Sequence, residues 1–82
     1  MSRNILIVDD EEDVRTIAKL GLEMDTGWNV LTAYSGREAL NIAANSKLDV
    51  ILLDMMMPDL DGPATLQQLK ANPTTRLIPV IY

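Results

Sequence analysis

An α/β fold built on a parallel sheet is predicted for this 82-residue chain, and three observations predict it. The apolar runs Ile5-Leu6-Ile7-Val8 and Val50-Ile51-Leu52-Leu53 are continuous rather than alternating, which is the pattern of strands covered on both faces. Strand-like runs and helical patterns alternate strictly along the chain, and such alternation implies helical crossovers between parallel strands. Both runs end in acid: Asp9 and Asp10 follow the first, and Asp54 follows the second.

The elements follow in order. Residues 5–8, rich in β-branched side chains, form the expected strand β1. Between it and Gly27 lies the expected helix α1. Val14, Ile17, Ala18 and Gly21 recur there at three-and-four spacing and define its expected inner face, with Leu20 and Met24 on an adjoining face. Gly27 stops this helix, and residues 29–33 read as strand β2. Trp28, just before β2, is expected to be a packing residue at the sheet end away from the aspartates. Ser35-Gly36-Arg37-Glu38 has the spacing of a capping box, in which serine and glutamate satisfy each other's free backbone donors. It opens helix α2, with Ala39, Leu40 and Ala43 inward. Residues 50–53 are strand β3. Gly62-Pro63 opens helix α3 with proline in the first turn, where its missing N–H is harmless. Leu66 and Leu69 form the apolar face of α3, and Pro73 lies beyond its end. Pro79-Val80-Ile81-Tyr82 begins strand β4, with proline at a permitted first position.

If β2 and β3 flank β1, right-handed crossovers put α1 on one sheet face and α2 and α3 on the other. The winding then reverses after β2 and leaves a crevice at the carboxyl ends of β1 and β3, the place where open α/β sheets bind ligands. Neighbouring strands lie about 4.8 Å apart, so Asp9, Asp10 and Asp54 come within reach of one ion. Magnesium suits such a site, because it accepts one or two carboxylates together with waters and a substrate phosphate. Glu11, Glu12 and Asp13 read instead as a solvated helix start, where negative charge is favourable. The matching carboxylate after β3 is what sets Asp9 and Asp10 apart from them.

Composition excludes several functions. The length allows one domain, residues 1–82. A net charge of −5 argues against sequence-independent binding to nucleic acid. No apolar stretch approaches the roughly 20 residues needed to span a bilayer, so neither nucleic acid nor membrane is an expected partner. The chain has no cysteine, which rules out disulfides and thiolate metal sites and suits a cytoplasmic location. It has no histidine, so it supplies neither an imidazole base nor a histidine phosphodonor. Asp59-Leu60-Asp61-Gly62 hints at a calcium loop, but the first and last ligand positions would be Met57 and Gln68, and neither carries a carboxylate. No glycine-rich phosphate-binding loop is present.

The run Ile5-Leu6-Ile7-Val8-Asp9-Asp10-Glu11-Glu12, followed by Asp54-Met55-Met56-Met57-Pro58-Asp59-Leu60-Asp61-Gly62, resembles the receiver domain of two-component response regulators, in particular chemotaxis regulators. Ser35 to Leu40 matches the usual start of α2 in that family, and the likeness runs from Met1 to Tyr82. The resemblance implies a flavodoxin-like, doubly wound sheet of order 2-1-3-4. That order is borrowed from the family, whose chemotaxis members are a standard example of it. The resemblance also implies that Asp54 is the phosphoacceptor and that Asp9, Asp10 and Asp54 hold magnesium, with the backbone carbonyl of Met56 completing the protein ligands. Met57 is expected to pack inward. The implied donor is a phosphohistidine on a sensor histidine kinase or phosphotransfer protein. On this reading the chain is a phosphoacceptor of a phosphorelay and not an enzyme.

Set against the family pattern, the sequence stops inside β4 and lacks the last helix-strand-helix, with the hydroxyl residue and lysine that the family carries there. Lys19, Lys47 and Lys70 are expected to lie away from the crevice and to offer no replacement. Phosphoryl transfer is then expected to be slow. The free β4 edge offers unpaired backbone groups, so a strand-edge or segment-exchanged homodimer is a further expected partner. The alternative function is an interaction fragment that pairs with another chain and binds metal at most. A metal-dependent phosphohydrolase ranks lower, because it would need Asp-x-Asp where Asp9 and Asp10 are adjacent.

Overall fold

A computed structural model describes residues 3–82. The chain runs β1 (Asn4–Val8), α1 (Glu12–Thr26), β2 (Asn29–Ala33), α2 (Gly36–Asn45), β3 (Val50–Leu53), α3 (Gly62–Ala71) and β4 (Val80–Ile81). The four strands form one parallel sheet of order β2-β1-β3-β4, the doubly wound arrangement expected. β1 sits in the middle, and all of its residues from Ile5 to Val8 are buried, as its unbroken apolar run requires.

Alternation along β1 divides the core in two. Leu6 and Val8 point to the side of α2 and α3, where they meet Ala39, Ala43, Ile51, Leu53 and Leu69. Ile5 and Ile7 point to the side of α1, with Val30 and the half-buried Ala18, Leu22 and Trp28. Full burial of a leucine such as Leu6 is worth about 1.5–3 kcal/mol, so the larger cluster carries most of the apolar stabilisation. Gly36 lets α2 and α3 approach closely. A Cβ there would overlap the Thr65 hydroxyl and come within 2.7 Å of the Leu60 carbonyl oxygen.

The covered face of α1 differs from the expected one. Val14, Ile17, Gly21, Leu20 and Met24 are exposed, Ile17 by 71% and Met24 by 83%. The row turned to the sheet is Arg15, Ala18, Lys19 and Leu22, which has the same three-and-four spacing in a different phase. Cationic residues lay their methylene stems along apolar surface and keep only the head polar, so hydropathy alone chose the wrong phase. The heads are satisfied by backbone: the Arg15 guanidinium donates to the Asp9 carbonyl at 2.8 Å, and the Lys19 ammonium to the Val30 carbonyl at 2.8 Å.

The helix ends follow the sequence closely. Gly27 adopts a left-handed conformation, and its N–H bonds the Glu23 carbonyl at 3.0 Å. Ser35 caps α2 by accepting from the Glu38 N–H at 3.1 Å. The reciprocal bond is shifted by one residue, since Glu38 accepts from the Tyr34 N–H at 2.8 Å rather than from Ser35. Asp61 caps α3 by accepting from the Ala64 N–H at 2.9 Å, and Pro63 follows Gly62 in the first turn. At the amino end of the sheet, Asn4 clasps the chain: its N–H donates to Asp49 at 2.7 Å and its side-chain amide to the Lys47 carbonyl at 2.8 Å.

Candidate metal centre

The register of β1 on β3 decides where the acids lie. Val8 pairs with Leu53, so the next residues, Asp9 and Asp54, leave the sheet side by side at its carboxyl edge. Both are anchored through their backbones. The Asp54 N–H donates to the Val8 carbonyl at 2.9 Å, and the Asp9 N–H to the Ala33 carbonyl at 3.1 Å. Asp10 is exposed, whereas Asp9 and Asp54 are half-buried. Asp9, Asp10 and Asp54 each offer a carboxylate oxygen within 4.8 Å of the other two.

Local hydrogen bonds orient the two half-buried carboxylates. Asp9 Oδ1 accepts from the Glu11 N–H at 2.9 Å, which closes a tight turn into α1. Asp54 Oδ1 accepts from the Met56 N–H at 3.2 Å, and its Oδ2 has no donor among the described residues. Among the described residues, no basic side chain pairs with these carboxylates. The one ion pair among the described residues is Lys19–Glu23 at 3.1 Å, on α1, and Arg15 bonds the Asp9 carbonyl rather than a carboxylate.

The donor set fits magnesium. Ligand bonds of about 2.0–2.1 Å place two oxygens of one magnesium at most about 4.2 Å apart. Adjacent oxygens of an octahedral shell lie about 3 Å apart, so carboxylate oxygens within 4.8 Å of one another reach one ion by side-chain rotation, and three carboxylates without nitrogen or sulfur are a hard-cation set.

Sequence reasoning brought all three aspartates to one place and expected Met57 to pack inward. Met57 is buried in the larger core cluster, whereas Met55 and Met56 are exposed, Met56 by 83%. Lys70 donates to the Arg76 and Ile78 carbonyls beyond α3 and Lys19 to β2, so both are engaged elsewhere. Two residues of the site were missed. Arg15 holds the Asp9 carbonyl, and the available signal was a cation one turn after an aspartate pair. Gly62 packs directly on the Asp54 backbone, where a Cβ would come within 2.5 Å of the Asp54 carbonyl oxygen and 2.6 Å of Met55 Cα. Beside the acids, a groove of about 280 Å³ runs between α1 and the sheet, lined by Val14, Ala18, Leu52 and Tyr82.

The sequence pattern of the family described as "Response regulator receiver domain" matches residues 5–82. The chain belongs to that family. Receiver domains supply the phosphoacceptor module of two-component signalling. The chain is 49% identical to the response regulator PleD of Caulobacter vibrioides, over 99% of its own length and 18% of that protein. It is 46% identical to PhoP of Bacillus subtilis, an alkaline phosphatase synthesis transcriptional regulatory protein, over 85% of its own length and 29% of that protein. The chain of 82 residues thus spans under a third of these relatives. Among solved structures, the N-terminal domain of a response regulator receiver protein from Methanoculleus marisnigri superposes with a TM-score of 0.90 at 40% identity, covering 94% of this chain and 62% of that one. Chemotaxis protein CheY4 of Vibrio cholerae superposes with a TM-score of 0.89 at 31% identity, covering 98% and 66%. No helix among the described residues of this receiver domain is long and apolar enough to cross a membrane.

Proposed function

We propose that Asp54 accepts a phosphoryl group from a phosphohistidine on a sensor histidine kinase or phosphotransfer protein. In this reading magnesium is held by Asp9, Asp10, Asp54 and the backbone carbonyl of Met56. The observation that carries it is the convergence of three carboxylates within 4.8 Å at the carboxyl edge of β1 and β3. Unscreened by solvent, two carboxylates at 4 Å and an effective dielectric near 20 repel by about 4 kcal/mol. That repulsion is lower where Asp10 meets water, yet such a cluster still favours a divalent cation.

Asp54 is suited to attack because its two oxygens are inequivalent. The Met56 N–H steadies Oδ1 and leaves Oδ2 free to meet phosphorus. A bond forms from this oxygen to phosphorus as the bond from phosphorus to the donor nitrogen breaks, and the donor imidazole leaves. Phosphoryl transfer of this kind is mostly alignment and charge stabilisation. Bound magnesium would offset the negative charge of the phosphoryl oxygens and of Asp54. Asp9 and Asp10 hold that charge in place and take no covalent part.

Intact mass after incubation with magnesium and acetyl phosphate tests this. Wild-type protein is expected to gain one phosphoryl group, and Asp54→Asn to gain none. A wild-type chain that gains nothing at millimolar donor would overturn the proposal. It would favour the second reading, an interaction fragment that pairs through the β4 edge, where Ile81 and Tyr82 are each 54% exposed.

A further inference from the structure

We propose that Arg15 is a positioning residue of the metal centre, acting through the backbone of Asp9. The proposal rests on the magnesium site argued above and assigns a residue that this reading does not need. Asp9 is held at three points. Its N–H bonds the Ala33 carbonyl at 3.1 Å, its carboxylate accepts from the Glu11 N–H at 2.9 Å, and its carbonyl accepts from Arg15 Nη1 at 2.8 Å. The first is a sheet bond to β2 and the second a turn bond, and each takes its partner group from backbone. The third comes from a half-buried side chain one turn into α1, and it is a charge-assisted bond of the strong kind.

This bond fixes the peptide plane between Asp9 and Asp10. The peptide is planar and trans, so holding its carbonyl oxygen also sets the direction in which Asp10 leaves. Asp10 is exposed, and no side-chain hydrogen bond restrains its carboxylate among the described residues. The orientation of its ligand oxygen therefore depends on the peptide before it, and Arg15 is the side chain that controls that peptide. Groups that orient metal ligands without touching the metal commonly matter about 10–100-fold in affinity.

The charge of Arg15 acts in the opposite sense. A positive charge near the site repels a divalent cation, so removing it would tighten binding if Coulomb interaction were its main role. The sign of the change therefore separates positioning from electrostatics. Lys19 provides a matched control: it lies on the same face of α1 and also donates from a cationic side chain to a backbone carbonyl, but on β2 at Val30, which is not a ligand.

Calorimetric titration of magnesium into the full 82-residue chain, together with thermal melts, tests the proposal. Arg15→Ala is expected to weaken magnesium binding about tenfold, at both low and high salt. Arg15→Met keeps the apolar stem over the sheet and should weaken binding equally, even if the alanine variant does not fold. Arg15→Lys restores a cationic donor and should recover most of the loss. Lys19→Ala is expected to lower the melting temperature while leaving magnesium affinity unchanged. Wild-type or tighter affinity in a folded Arg15→Ala or Arg15→Met variant would overturn the proposal. So would an equal loss in Lys19→Ala, since general docking of α1 would then explain the effect. A wild-type chain that binds no magnesium would overturn the underlying site, and the role of Arg15 with it.

Discussion

Asp9→Asn and Asp10→Asn, each made alone, are expected to raise the melting temperature without magnesium and to abolish the further rise that magnesium gives. The two effects share one cause. Three acidic oxygens within 4.8 Å repel one another, and no basic side chain is paired with them among the described residues. Asparagine removes one charge while keeping size and an acceptor oxygen, so the turn bond from the Glu11 N–H to residue 9 survives. Relief of repulsion at this partly solvated edge is worth about 1 kcal/mol. In a domain of this size that shifts the midpoint by about 4–8 °C. Magnesium at about a hundred times its dissociation constant adds about 2.7 kcal/mol to the wild type and close to nothing to a variant lacking one ligand charge. Thermal melts with and without magnesium read both signs at once. A drop in the metal-free midpoint would show that the carboxylates are structural bonding partners rather than a strained ligand set.

Gly62→Ala is the second large effect expected, with a loss of about 1–3 kcal/mol from overpacking and a marked fall in phosphoryl uptake. The methyl group would press on the Asp54 carbonyl oxygen at 2.5 Å and on Met55 Cα at 2.6 Å. Both atoms belong to backbone, which yields less readily than a flexible side chain. The bond from the Gly62 N–H to the Met55 carbonyl, 3.1 Å, ties the start of α3 to the residue after the acceptor. A shift there therefore moves the acceptor as well. Gly36→Ala is the control. It meets the Thr65 hydroxyl and the Leu60 carbonyl, which flank the start of α3 without touching Asp54, and should destabilise the fold with a smaller fall in acetyl phosphate uptake per folded molecule. Equal uptake in folded Gly62→Ala and wild-type protein would refute the link between this glycine and the acceptor.

Much of this arrangement was legible in the residues. The unbroken runs at Ile5–Val8 and Val50–Leu53 had to lie in the middle of a covered sheet, and they occupy adjacent strands. Because each run ends in aspartate, strand pairing alone brings the ligands together. The order of the strands was not readable from the runs and came from the family likeness. The packing of α1 was misread because Arg15 and Lys19 count as polar, although their stems cover the sheet and their heads bond its backbone. The contact of Gly62 with Asp54 was also hidden, since a glycine after a turn reads as punctuation until the neighbouring backbone is seen.

Trp28 is the chain's one tryptophan, and just before β2 begins it packs against the cluster formed by Ile5, Ile7 and Val30. The acids lie past the other end of the five-residue strands, roughly 20 Å away at about 3.3 Å per residue. Indole emission therefore reports whether the α1 layer is seated and stays silent about occupancy of the far edge. The molecule carries an optical gauge of its own folding that its ligand chemistry leaves undisturbed.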